Sequence, residues 1–301
     1  MINYDRPNKL NELIRGAIDL HCHVYPEVSL EQENRLEDDD QIQAAIDAGL
    51  AGIVLKSHLW PTVERAYYLG KRFRQIQVIG SISLNPIAGG FDPLIVEIAA
   101  RQGARVIFFP TWQSENDLSH GGFSSVVRRR MPLYGPKAEF PAAPVTKDGK
   151  LTPAAEQVLD AAKDLDLLVM TGHCRADEGL LVIEGAAKRG VRVIYSHPQS
   201  THIGATNDDL KKAAALGALI EISSLGAISV RAAGLSRAQV AEGIKAVGAE
   251  HFVIVSDAFN PYAPPQPELF RMGAGQIVEV GIPIEQVRKM VYDNPRRALG
   301  M

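Results

Sequence analysis

Cysteine is scarce in this chain: Cys22 and Cys174 are the only two in 301 residues, too few for a disulfide framework. Each sits beside a histidine, His23 or His173. Strand alternation turns both thiols away from those rings, toward a helix layer, where they read as small packing residues. No apolar run approaches the roughly 20 residues that span a bilayer, so no membrane role is expected. The opening MINYDRPNKLNELIRG is polar and has no apolar signal-peptide core, so a cytoplasmic location is expected. With a formal net charge of −3 there is no basic field for nucleic acid. The one dense basic run, Arg128-Arg129-Arg130, reads as a solvated loop or an anion contact. Internal repeats and low-complexity tracts are also missing. So are the glycine-rich phosphate turn of a dinucleotide sheet, a phosphate loop and a Gly-x-Ser-x-Gly nucleophile turn.

What remains is ordinary globular composition, 46% hydrophobic and 22% charged. Its apolar residues fall into eight short runs, at 17–23, 51–56, 78–82, 105–109, 167–170, 191–195, 218–222 and 252–255. They are β-branched and almost continuously apolar, which is the pattern of parallel strands buried on both faces. Helical patterns lie between them, at 40–46, from Pro61, and at 94–100, 153–162, 178–188, 208–215 and 236–247. Gly49, Gly103, Gly190, Gly217 and Gly248 stand between a helix and the next strand, where a left-handed cap is expected. Eight strands alternating with helices predict an α/β protein, a (β/α)8 TIM barrel, with residues 1–301 as one domain. Residues 110–151 are too long for an ordinary connection and read as a lid-like insertion after the fourth strand. Its aromatic and proline content also offers a surface for a homo-oligomer.

The ionisable residues stand where these runs stop, which is where a barrel builds its site. His21 and His23 close the first run. One residue apart on a strand, they share a face and can point at one metal ion. By the same alternation Asp19 falls on the histidine face. Lys56 ends the second run, His173 the fifth, His197 the sixth and Asp257 the eighth. Glu221 lies inside the seventh, placed to orient a histidine or touch substrate. His58, His120 and His202 are loop histidines. His58 is placed to meet substrate or metal, and His202 to line a pocket. Arg175, directly after Cys174, and Arg231 are placed to meet an anionic substrate. His251 precedes the eighth run and belongs to the opposite end.

This constellation resembles the amidohydrolase superfamily of metal-dependent hydrolases over about residues 16–300. The ending Tyr292-Asp293-Asn294-Pro295-Arg296-Arg297-Ala298-Leu299-Gly300 is similar to that family's Asn-Pro-Ala-x-x-Leu-Gly tail. The resemblance implies a divalent metal, zinc first with manganese, iron or nickel as alternatives. It implies His21, His23, His173, His197 and Asp257 as ligands, with Asp257 also taking a proton from the attacking water. The fourth run departs from the family, ending Phe108-Phe109-Pro110 with no lysine or glutamate. Two readings stay open. In one the site holds a single ion, with His197 near it or acting as an acid. In the other Lys56 becomes carboxylated and bridges two ions, as a metal ligand and catalytic group. The implied reaction is hydrolysis of an amide, cyclic amide, ester or lactone in a small-molecule substrate. The alternative is a decarboxylase or lyase acting on a carboxylated molecule at the same site.

Overall fold

A computed structural model describes residues 8–31, 36–228, 236–259 and 262–301. Each expected apolar run forms a strand: β1 (Ile18–His23), β2 (Gly52–Lys56), β3 (Gln77–Ser83), β4 (Ala104–Phe108), β5 (Leu168–Met170), β6 (Val193–Tyr195), β7 (Leu219–Ser223) and β8 (Phe252–Val255). They pair in sequence order, all parallel. The sheet closes on itself, since Asp257 N donates to His21 O at 2.8 Å and His23 N to Ala258 O at 3.1 Å. Continuous hydrophobicity follows from this closure, because a barrel strand meets side chains inside and helices outside.

The interior is packed by Leu20, Val54, Val106, Phe108, Met170, Ile194 and Val255 among others. Ala298 and Leu299 plug its lower end. Asn294, in the tail motif, holds that plug by donating to Ala249 O and Phe252 O at 2.9 and 2.7 Å. A larger apolar layer lies between strands and helices and includes Cys22 and Cys174, both buried and unpaired. Gly49, Gly103, Gly190, Gly217 and Gly248 all adopt positive φ. No helix among the described residues is long and apolar enough to cross a membrane.

Two sequence expectations change. β1 carries an extra residue between Asp19 and Cys22 relative to β2. Such a bulge resets the alternation. Leu20 lies in the barrel interior while Cys22 faces the helix layer, and His21 and His23 share the mouth. Asp19 is therefore off the histidine face. Its carboxylate instead accepts from Ser256 N (3.0 Å) and Gln266 Nε2 (2.6 Å). The second change concerns the insertion. It contains helices Glu115–His120 and Phe123–Arg130 and a small hairpin of Thr146–Lys147 with Lys150–Leu151. Helices of six and eight residues are too short to show a periodic pattern. The arginine run forms the last turn of the second helix, where cations suit the helix dipole. Arg128 there donates to Ala138 O at 2.8 Å and lies over the Phe140 ring.

Candidate metal centre

The strand ends bring six of the expected residues into one cluster at the C-terminal mouth. His21 Nε2 and His23 Nε2 lie 3.3 and 3.2 Å from Asp257 Oδ1. The His197 ring is 6.2 Å from that of His21 and 5.3 Å from that of His173. Lys56 is buried on the inward face of β2, in register with Val54. Its Nζ sits 3.3 Å from His23 Nε2 and 3.0 Å from His58 Nδ1, with Phe108 beneath it. His58 also reaches Thr111 Oγ1 at 2.9 Å, a hydroxyl that accepts from Asn85 Nδ2.

Three of the histidines are braced in the same way. His21 Nδ1 faces Glu221 Oε1 at 3.2 Å, His23 Nδ1 faces Glu27 Oε2 at 2.8 Å, and His173 Nδ1 faces Asp117 Oδ2 at 3.0 Å. A carboxylate on Nδ1 fixes the ring and leaves Nε2 as the free donor atom, the usual support of a metal-binding imidazole. Among the described residues, donor atoms of His21, His23 and Asp257 lie within 4.8 Å of one another. The same holds for His23, Glu27 and His58, and for Asp117, His173 and His202.

Burial sets the protonation states. It lowers His21 to about 3 and His173 and His197 to about 4, so these rings are neutral at physiological pH. Neutral imidazole is the form that binds metal. Burial pulls Lys56 down to about 8 and pushes Glu221 up to about 7. Burial opposes ionisation of Asp257 too, but His21, His23 and His197 hold it well below the usual carboxylate range. His23 departs from the other rings: burial opposes its proton, and Glu27 nonetheless raises it.

His197 and Asp257 share one more feature, positive φ of 26° and 52°. Side-chain-bearing residues rarely occupy that region, and strained backbone of this kind gathers at functional sites. Ser223 Oγ donates to Asp257 Oδ2 at 2.9 Å and fixes the carboxylate.

Other expected residues lie elsewhere. Glu221 is turned to His21 and also lines the cavity. Arg175 is not at the cavity. It precedes the helix Ala176–Arg189, is about half exposed, and pairs with Asp177 and Glu178. A side chain leaving the N-terminus of that helix is drawn to its own first-turn acids. Arg175 and the exposed His120 border a separate surface depression. His202 lines the main cavity, with Nε2 at 3.7 Å from Asp117. Arg231 lies outside the described residues. Sequence reading missed Glu27, Asp117 and Thr111. Glu27 follows His23 by four residues, and Asp117 is the third residue of a helix capped by Ser114. Neither position distinguishes a site carboxylate from a surface one.

Fold and site together define a class, the (β/α)8 barrel with histidines and an aspartate at its strand ends. Solved structures of that fold align along nearly the whole chain. An amidohydrolase from Pseudomonas aeruginosa is 13% identical over 96% of this chain and 98% of its own, with a TM-score of 0.58. The probable dipeptidase PvdM from the same organism is 14% identical over 97% and 96%, at 0.61. A 2,6-dihydroxybenzoate decarboxylase is 11% identical over 95% and 99%, at 0.54. No curated protein matches. The chain belongs to the family of unknown function DUF6282, whose model matches residues 16–221.

Proposed function

We propose that this barrel is a metal-dependent hydrolase acting on the carbonyl carbon of an amide, cyclic amide, ester or lactone in a small molecule. The observation that carries the reading is the set of three carboxylate-braced histidines opening beside Asp257. The donor set fits a divalent ion on a further count. His21 Nε2 is buried and faces Asp257 Oδ1 at 3.3 Å without a hydrogen bond among the described residues, a costly arrangement unless something else binds both atoms.

His21, His23 and Asp257 would hold the ion, with His173 and His197 completing its surroundings. Zinc suits these ligands, as do manganese, iron and nickel. Lys56, if carboxylated, would hold a second ion. A bound ion of this kind polarises a carbonyl and lowers the pKa of a coordinated water from about 16 toward 7.

The chain's own groups divide the remaining work. Asp257, ionised and fixed by Ser223, accepts the proton of the attacking water. His197 has no carboxylate brace, and its ring is free to donate to the carbonyl oxygen as charge develops there. Lys56, lowered to about 8 by burial, is placed to pass a proton to the leaving group. Phe123 and Phe259, both lining the cavity, exclude bulk water from the reacting end.

The decarboxylase alternative has less support. Arg175, the arginine the sequence offered for a substrate carboxylate, is committed to Asp177 and Glu178, which leaves that role to the ion and Lys56. Protein purified without chelators is expected to carry one or two equivalents of divalent metal. Chelation should abolish turnover on amide, ester and lactone substrates, and added metal should restore it. Protein that holds no metal and regains none would overturn the proposal, and carbon dioxide release from a carboxylated substrate would favour the alternative.

Glu221→Gln is expected to weaken metal binding by roughly tenfold or more, since partners of ligating histidines typically contribute that much. Competition with a chromogenic chelator measures it. Wild-type affinity would detach Glu221 from the metal centre.

A further inference from the structure

The reacting end occupies only part of a cavity of about 730 Å³. That volume is in the range of sites for drug-sized ligands. Close to the histidines its wall is aromatic. Phe123 lies 4.0 Å from the His58 ring and 5.4 Å from Phe259, and Phe259 lies 4.8 Å from His23. Where the cavity runs between helices, an outer arm of it, the lining is Leu225, Val240 and Ile277. These come from three separate helices, Ser224–Ile228, Arg237–Val247 and Gln266–Glu279.

Charge is distributed unevenly along it. Glu221, Asp117 and Asp257 line the reacting end, together with one cation, Lys56, which is enclosed by imidazoles. Arg175 and Arg128 are held elsewhere by Asp177 and by Ala138 O. The one arginine lining the cavity among the described residues is Arg237, half exposed and paired with Glu279 at 3.7 Å. A carboxylate carried into this arm would lose its water among Leu225, Val240 and Ile277, and Arg237, the one arginine there among the described residues, already has Glu279 as its partner, so the transfer is costly. An apolar chain there removes its own surface and the wall's from water.

We propose that the substrate is a carbonyl compound with an extended, uncharged apolar substituent, which lies in the outer arm against Leu225, Val240 and Ile277. The inference rests on the hydrolase reading for its reacting end, and its test is arranged to separate the two.

Metal-loaded enzyme would be assayed on 4-nitrophenyl esters from acetate to octanoate, which share one reacting group. The expected kcat/KM rises about fourfold per methylene, from ~0.8 kcal/mol per buried CH₂, until the arm is full. Esters of equal length ending in a carboxylate should be at least tenfold poorer (roughly the 1.4 kcal/mol that a lost partner easily exceeds). Val240→Trp should move the optimum to shorter chains, with the loss in kcat/KM growing with each methylene beyond it. Leu225→Phe offers a milder filling of the same arm should the tryptophan variant not fold. A flat or falling profile, or preference for the carboxylate-ended chain, would overturn the proposal. If no ester, amide or lactone is turned over, the hydrolase reading fails by itself, and calorimetric binding of octanamide against acetamide decides the arm. Much tighter octanamide binding, lost in Val240→Trp, would uphold it, and equal binding would overturn it.

Discussion

Replacing Asp257 with asparagine is expected to lower kcat about a thousandfold while leaving the fold intact, because the change removes a general base and the anionic member of the proposed metal-holding set. The site makes this substitution unusually clean. Asp257 holds φ at 52°, a left-handed conformation that asparagine tolerates better than other side-chain-bearing residues. The amide has the same shape as the carboxylate, and its oxygen can still accept from Ser223 Oγ, now at 2.9 Å from Oδ2. What is lost is the negative charge that His21, His23 and His197 hold in place. Asp257→Ala would add backbone strain to the loss of charge and confuse the two. Steady-state rates on any accepted substrate, with circular dichroism and melting as controls, provide the check. A variant retaining wild-type turnover would remove Asp257 from the chemistry.

Gly172→Ala is expected to cost about 3 kcal/mol or more, in the upper part of the range for single substitutions. Gly172 has φ of +65°. A Cβ there would stand 2.3 Å from Phe109 O and 2.6 Å from Pro110 O. Both obstacles are backbone, so no rotamer change relieves them. The close approach exists because His173 N donates to Pro110 O at 3.0 Å and Gly172 N to Ser196 Oγ at 3.1 Å, locking the ends of β4, β5 and β6 together. The chain can relieve the overlap only by moving the loop that carries His173. Denaturant unfolding should therefore show the lost stability, and metal titration should show weakened affinity alongside it. Unchanged stability would mean that this approach is looser than the geometry indicates.

The barrel was legible in the sequence because its strands are buried on both faces, and that burial forces short apolar runs at regular intervals. The endings of those runs were legible for the same reason. A histidine, lysine or aspartate directly after four or five buried aliphatic residues has nowhere to go except the strand's end. Lys56 follows this rule through Val54. Asp19 broke it, because a bulge of one residue leaves no mark in composition and yet reverses every later side chain. Glu27 and Asp117 were hidden for a different reason. Glu27 comes from the loop after β1 and Asp117 from a six-residue helix of the insertion, and in neither does a repeat reveal where the side chain goes. Arg175 misled by adjacency to the histidine loop: the backbone turns into a helix at that residue and carries the guanidinium outward.

Asp117 uses both carboxylate oxygens at once. Oδ1 accepts from Ser124 N at 2.9 Å, and Oδ2 accepts from Phe123 N at 3.1 Å and meets His173 Nδ1 at 3.0 Å. The anion that begins the roof helix Phe123–Arg130 is thus the one that steadies a ring at the metal centre. Events at the two places share a free energy, and linkage makes the sharing reciprocal. Ion uptake below should slow amide exchange in the roof above, and a ligand pressing on Phe123 should slow ion loss. Asp117→Asn should uncouple them, so that the roof exchanges at the same rate with or without metal. The helix Phe123–Arg130 would then report, from its own backbone, whether the centre at the strand ends is loaded.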